Sequence, residues 1–119
     1  MEKIKILGAP PSKANMYRII TIKGHGSLCK TSAMKDYERN FYIQCPLRGQ
    51  MIEGYFRVDI DVFYPSMRQD LDNVLKGFLD CLQECKVIKN DNQCVEIHAR
   101  KFVDKVNPRI EFTIEPIEI

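Results

Sequence analysis

The sequence has no CxxC pair, no glycine-rich phosphate loop, no apolar run of membrane-spanning length and little net charge. Each absence removes a class of function. The five cysteines, Cys29, Cys45, Cys81, Cys85 and Cys94, are odd in number and not closely paired, which argues against a zinc site or a disulfide framework. Cys81 and Cys85 lie four apart on an expected helix and read as small apolar fillers in a reducing compartment. Lack of a phosphate loop weakens a reading as a phosphohydrolase acting on nucleotides. No stretch approaches the roughly 20 apolar residues that span a bilayer, and Met1–Glu2–Lys3–Ile4 lacks a signal-peptide pattern, so the expected location is the cytoplasm, away from membranes. A formal net charge of +2 permits nucleic-acid binding without arguing for it; binding charge must be gathered on one face or doubled by dimerisation.

What is present is a chain of 119 residues, 45% hydrophobic, enough for one small core and a single domain over 1–119. Lys3–Ile4–Lys5–Ile6 alternates as a strand and is closed by Gly8 and Pro10–Pro11–Ser12. Tyr17 to Ile22 is a second β-branched run, followed by Gly24–His25–Gly26–Ser27, read as a mobile loop. Thr31 or Ser32 caps a helix that presents Met34, Tyr37 and Phe41 on one face and ends near Pro46. From Tyr55 to Phe63, the residues Phe56, Val58, Ile60 and Val62 point one way; Arg57, Asp59 and Asp61 point the other and read as a solvated face. A second helix is expected from Leu71 to about Cys85, then a turn at Asn90–Asp91–Asn92, and strands near Cys94–Val103 and Arg109–Glu115. The order β-β-α-β-α-β-β predicts an α+β fold, a mixed sheet with two main helices.

The informative segment is Asp70–Leu71–Asp72–Asn73–Val74–Leu75–Lys76. Two carboxylates at a helix start have an ordinary explanation, since they complement the helix dipole and its free N–H groups. Against it stands Asp91, in a turn that can fold back beside the helix or reach across the sheet. Three converging carboxylates repel unless a cation joins them, and hard oxygen ligands suit magnesium or manganese. Lys76 is one turn beyond Asp72 on the same face; it is either half of a surface ion pair or a contact to a scissile phosphate. A helix N-terminus also favours an incoming phosphate. Asn73 either orients a carboxylate or is a surface amide.

The pattern Asp70-x-Asp72–Asn73-x-x-Lys76, followed by Asp80 and the acidic turn at Asp91, resembles the RusA-type Holliday junction resolvases. Pro10–Pro11–Ser12-x-x-Asn15, Lys101 and Pro108–Arg109–Ile110–Glu111 extend the resemblance over nearly the whole chain. It implies a small α+β homodimer with one magnesium site per subunit, making paired symmetric cuts in a four-way DNA junction. By position, Asp70, Asp72 and Asp91 would bind the metal, with manganese as substitute, and Lys76 would serve catalysis. The sequence departs from the pattern at Asn90, where family members often have a second acid, and at Arg68–Gln69, a reduced basic run.

Backbone contacts to DNA would come from basic residues, with Lys13, Arg18, Lys23, Lys30, Arg68 and Lys101 as the main candidates and Arg100 and Lys105 behind them. His25 could contact a phosphate, whereas His98 reads as structural. Along one unbroken strand Lys101 would lie up to roughly 33 Å from Asp91, so it is assigned to DNA or partner contact. The rival reading is a non-catalytic, junction-binding accessory module whose aspartates only cap a helix.

Overall fold

The structure is a computed structural model, and it describes residues 3–118, the Lys13 side chain excepted. Four strands, β1 (Ile4–Leu7), β4 (Phe56–Tyr64), β5 (Cys94–Val103) and β6 (Arg109–Pro116), form a sheet in the order β1-β6-β4-β5. β4 and β5 are parallel and the other pairs antiparallel, so the sheet is mixed and the fold is α+β, as expected. Helices α2 (Ser32–Gln44) and α3 (Leu75–Glu84) share one core with the sheet. The alternation of β4 does what it predicted: Phe56, Val58, Ile60 and Val62 are buried. Phe41 of α2, Phe78 of α3 and Phe112 of β6 meet there, with ring centroids 4.9–6.2 Å apart. Cys45, Cys81 and Cys85 are buried and free, and burial pushes the Cys85 thiol up to about 11.

Thr31 caps α2 by accepting the Met34 N–H at 3.1 Å. The second expected helix divides into a single tight turn (Leu71–Val74) and α3 proper. α3 carries the chain from the end of β4 back along the core, so that β5 starts beside Phe56 and runs with β4 to Tyr64.

The region read as a loop after Ile22 is a strand. β2 (Tyr17–Ile22) and β3 (His25–Lys30) pair as a separate two-stranded hairpin. Lys23 (φ 50) and Gly24 (φ 81) are both left-handed, which makes the two-residue turn that matches hairpin twist. Gly26 and Ser27 have poor strand propensity and hide β3 from a pattern reading. A short helix, α1 (Lys13–Met16), precedes the hairpin and packs against α3 at Gly77, where a Cβ would stand 2.5 Å from the Met16 sulfur.

Candidate active site

β4 ends at Tyr64, and the loop beyond it is tied down from two sides. The Tyr64 hydroxyl donates to the Asp70 carbonyl at 3.2 Å. The Lys101 ammonium donates to the Gln69 carbonyl at 3.0 Å. Asp70 thereby occupies the cap position of the tight turn, but its side chain makes no cap bond. Asp72 follows in the first turn. Both carboxylates are exposed, and among the described residues neither has an ion-pair partner. They stand together beside Tyr64, whose phenol is pushed up to about 12 by burial first, then by Asp72, then by Asp70. The ordinary explanation for Asp70, a side-chain cap, is therefore not realised.

Lys76 turns away from Asp72 and toward the other end of its own helix. Its ammonium lies 3.4 Å from Asp80 and 5.0 Å from the centre of the Tyr17 ring. The Tyr17 hydroxyl also hydrogen-bonds Asp80. The base of the hairpin, the helix and Lys76 thus share one carboxylate. Half-exposed, Lys76 keeps ammonium donors free for an incoming anion.

Asp91 is elsewhere. It opens a short turn (Asp91–Gln93) directly before β5, its N–H donating to the Gln83 side chain at 3.0 Å. β5 begins beside Phe56, whereas Asp70 is bonded to Tyr64; β4 spans about 26 Å between those two residues. No group of three acidic, histidine or cysteine side chains able to hold a metal occurs among the described residues. The helix that joins the aspartates in sequence is what separates them in space.

The predicted DNA contacts divide into free and engaged cations. Arg18, Lys23 and Arg68 are exposed and have no ion-pair partner among the described residues. Lys30 reaches the buried Glu38 at 2.9 Å and Glu84 at 3.7 Å. Burial alone would lower the Lys30 amine, but Glu38 outweighs it and the net direction is up. Lys101 holds the Asp70 loop and stands close to the candidate site. The Lys13 side chain lies outside the described residues. His25 sits exposed at the hairpin turn, and exposed His98 is 3.0 Å from Glu96.

The uncovered sheet face differs from its expected solvated character. Asp61 is 5% exposed, bonded by Lys3 at 2.8 Å and by Arg100 at 2.8 and 3.2 Å. Burial raises its pKa, but the two cations outweigh burial and the carboxyl is held below its usual range. Arg100 is thereby occupied. The Asp61 partners lie 58 and 39 residues away in sequence, so no local signal announced them.

A family model described as endodeoxyribonuclease RusA matches residues 8–115. A crossover junction endodeoxyribonuclease RusA from Aquifex aeolicus is 31% identical over 123 residues, which cover 99% of this chain and 95% of that relative.

Proposed function

The chain belongs to the endodeoxyribonuclease RusA family, and from that premise we propose a cytoplasmic, divalent-metal-dependent endonuclease that resolves four-way DNA junctions as a homodimer. The observation that carries this reading is the pair Asp70 and Asp72: exposed carboxylates two residues apart with no cation partner among the described residues, Asp70 making no cap bond, on a loop fixed by Tyr64 and Lys101. Magnesium ordinarily takes one or two carboxylates from a protein and completes its shell with water and phosphate oxygens. The pair matches that demand, and manganese would substitute. Bound there, the metal would supply phosphate polarisation and a more acidic water. Lys76, held at Asp80 and Tyr17 away from Asp72 in this structure, would offset negative charge developing on the phosphate once its ammonium swings toward the bound anion.

Asp91 joins this site only from a second chain. β5 is an edge strand of ten residues, exposing Val95, Ile97, Phe102 and Val103. A long uncovered edge is a template for pairing with another chain. If two copies pair antiparallel along β5 about a two-fold axis, the start of each strand meets the end of the other. Asp91 of the partner subunit then approaches the end of β5 where Lys101 grips the Asp70 loop. Each dimer would hold two such shared sites, which suits paired cuts in a pseudo-symmetric junction.

The decisive experiment uses a synthetic four-way junction with magnesium, with calcium and with chelator. Cutting is expected with magnesium and lost in chelator, with calcium supporting binding but little cutting. Full cutting in excess chelator would refute the metal reading. Binding without cutting under any metal would leave an accessory module. Mixing Asp72→Asn with Asp91→Asn then tests sharing of the site. Each variant alone should be inactive, while a mixed dimer regains one intact site and nicks the junction once. If mixing restores nothing although subunits exchange, the aspartates do not combine between chains.

A further inference from the structure

The β2–β3 hairpin is built for something outside its own fold. None of its residues is buried, yet Ile19 is 78% exposed, Leu28 59% and Ile22 53%. Ile19 and Leu28 are directly paired and share a face with Tyr17. That face overhangs α3 and, with Arg18 and Lys76, lines an open groove of about 440 Å³. Among the described residues the hairpin's side-chain anchors lie at its base, where Tyr17 meets Asp80 and Lys76, and Lys30 meets Glu38 and Glu84. Its turn places a lysine, Lys23, in the left-handed region, where an L-residue with a bulky side chain costs about 1–2 kcal/mol.

Charge says which occupant fits. From Lys3 to Lys35 the chain holds no aspartate or glutamate. Of the hairpin cations, Lys30 is used internally, while Arg18 and Lys23 are unpaired among the described residues. A projecting surface with apolar side chains, free cations and no carboxylate complements a polyanion that can offer apolar faces. An ordinary protein partner asks for no such one-sided charge. Unstacked nucleotides meet both conditions, since a base has an apolar face and each link carries a phosphate.

We propose that the hairpin recognises the branch point itself: an unstacked base at the strand exchange is received on the Ile19–Leu28 face beside Tyr17, while Arg18 and Lys23 take flanking phosphates. This rests on the junction-nuclease reading and adds to it a cause for branch selectivity. Lys76 lines the same groove, so a base seated there brings its neighbouring phosphate toward the candidate site.

The test places 2-aminopurine at the branch of a four-way junction and uses the cleavage-deficient Asp72→Asn protein. Its binding should raise the probe's fluorescence as the base unstacks. Adding Ile19→Ser with Leu28→Ser should remove that rise and lower junction affinity about tenfold, within the range for loss of a base-stacking contact. Plain duplex affinity should hold. Ile19→Leu with Leu28→Ile should restore the rise, and matched melting temperatures would show that folding is intact. An undiminished rise in the serine protein overturns the proposal. So does its conversion to a monomer, which would make the hairpin a subunit contact. If the Asp72→Asn parent itself fails to prefer junctions over duplex, the nuclease reading falls and this proposal with it.

Discussion

On the open face of the sheet, Asp61 has two cations within 3.2 Å and Arg57 has three carboxylates within 3.9 Å. Beyond the end of β4, Asp70 and Asp72 have no cation, and on the nearby hairpin Arg18 and Lys23 have no anion among the described residues. Both regions are rich in charge, and the sequence dresses them alike. In the first, each charge is answered by a neighbour, so its work is to hold strands in place. In the second, charges of opposite sign stand apart and exposed to water, where they cost the fold little and stay free to meet an incoming ligand. On the proposed reading, the unanswered charges beyond β4 and on the hairpin are the ones a metal and a phosphate backbone would answer.

The sharpest test of that contrast exchanges one charge from the unanswered set. Asp72→Asn should reduce junction cleavage on the order of 100- to 1000-fold, by the measure of removing one oriented charge from a reacting centre. Junction binding should persist in a mobility-shift assay, since one repulsion toward phosphate is gone. Normal cutting would make Asp72 a helix-dipole residue and erase the distinction. Lys76→Ala comes next, with a loss of about 100-fold in the saturated cleavage rate and little change in affinity. If affinity alone moves, Lys76 is an ordinary phosphate contact.

The answered set should respond in stability instead. Replacing both Lys3 and Arg100 by methionine leaves Asp61 buried and alone. Breaking a buried pair costs 3–5 kcal/mol, but both cations are half-exposed or more, so about 2 kcal/mol is expected after discounting for solvent. Urea unfolding measures it, and the cleavage rate at saturating DNA should not move. The pH dependence has a definite sign. Asp61 titrates lower in the folded chain than its unfolded value of about 3.9. Its stabilisation is complete above that unfolded value and disappears as pH falls through the folded one. The gap between parent and double variant should therefore close in acid; a gap that persists at pH below the folded value would remove the ionic account. The smallest effect is at the hairpin tip. Lys23→Asn keeps a residue suited to the left-handed turn and removes one cation. It should flatten the log–log salt dependence of junction binding by about 0.9, the slope that neutralising one phosphate contributes, with the saturated rate unchanged. An unaltered slope would take Lys23 out of the DNA-facing set.

Much of this was legible in the chain. The alternation from Phe56 to Val62 and the Thr31 cap identified a strand and a helix because both depend on neighbours in sequence. Asp70 and Asp72 were legible for the same reason, being two residues apart. The hairpin was not, because its turn depends on two left-handed residues and its second strand contains Gly26 and Ser27. The burial of Asp61 was invisible because its partners come from β5 and from the segment before β1. Asp91 was expected to converge with Asp70 and Asp72, and the fold sets it at the far end of β4 instead: nearness along the chain says little when a helix of ten residues lies between.

That distance has a biological corollary. Each newly made chain would carry two halves of different scissors, Asp70 with Asp72 at one end and Asp91 at the other. On the proposed pairing, a lone subunit is a blunt instrument, and cutting power at low abundance rises with the square of concentration rather than in proportion to it. On that pairing the enzyme would be disarmed until two copies meet, and a four-way junction able to bind both would be the place that brings them together.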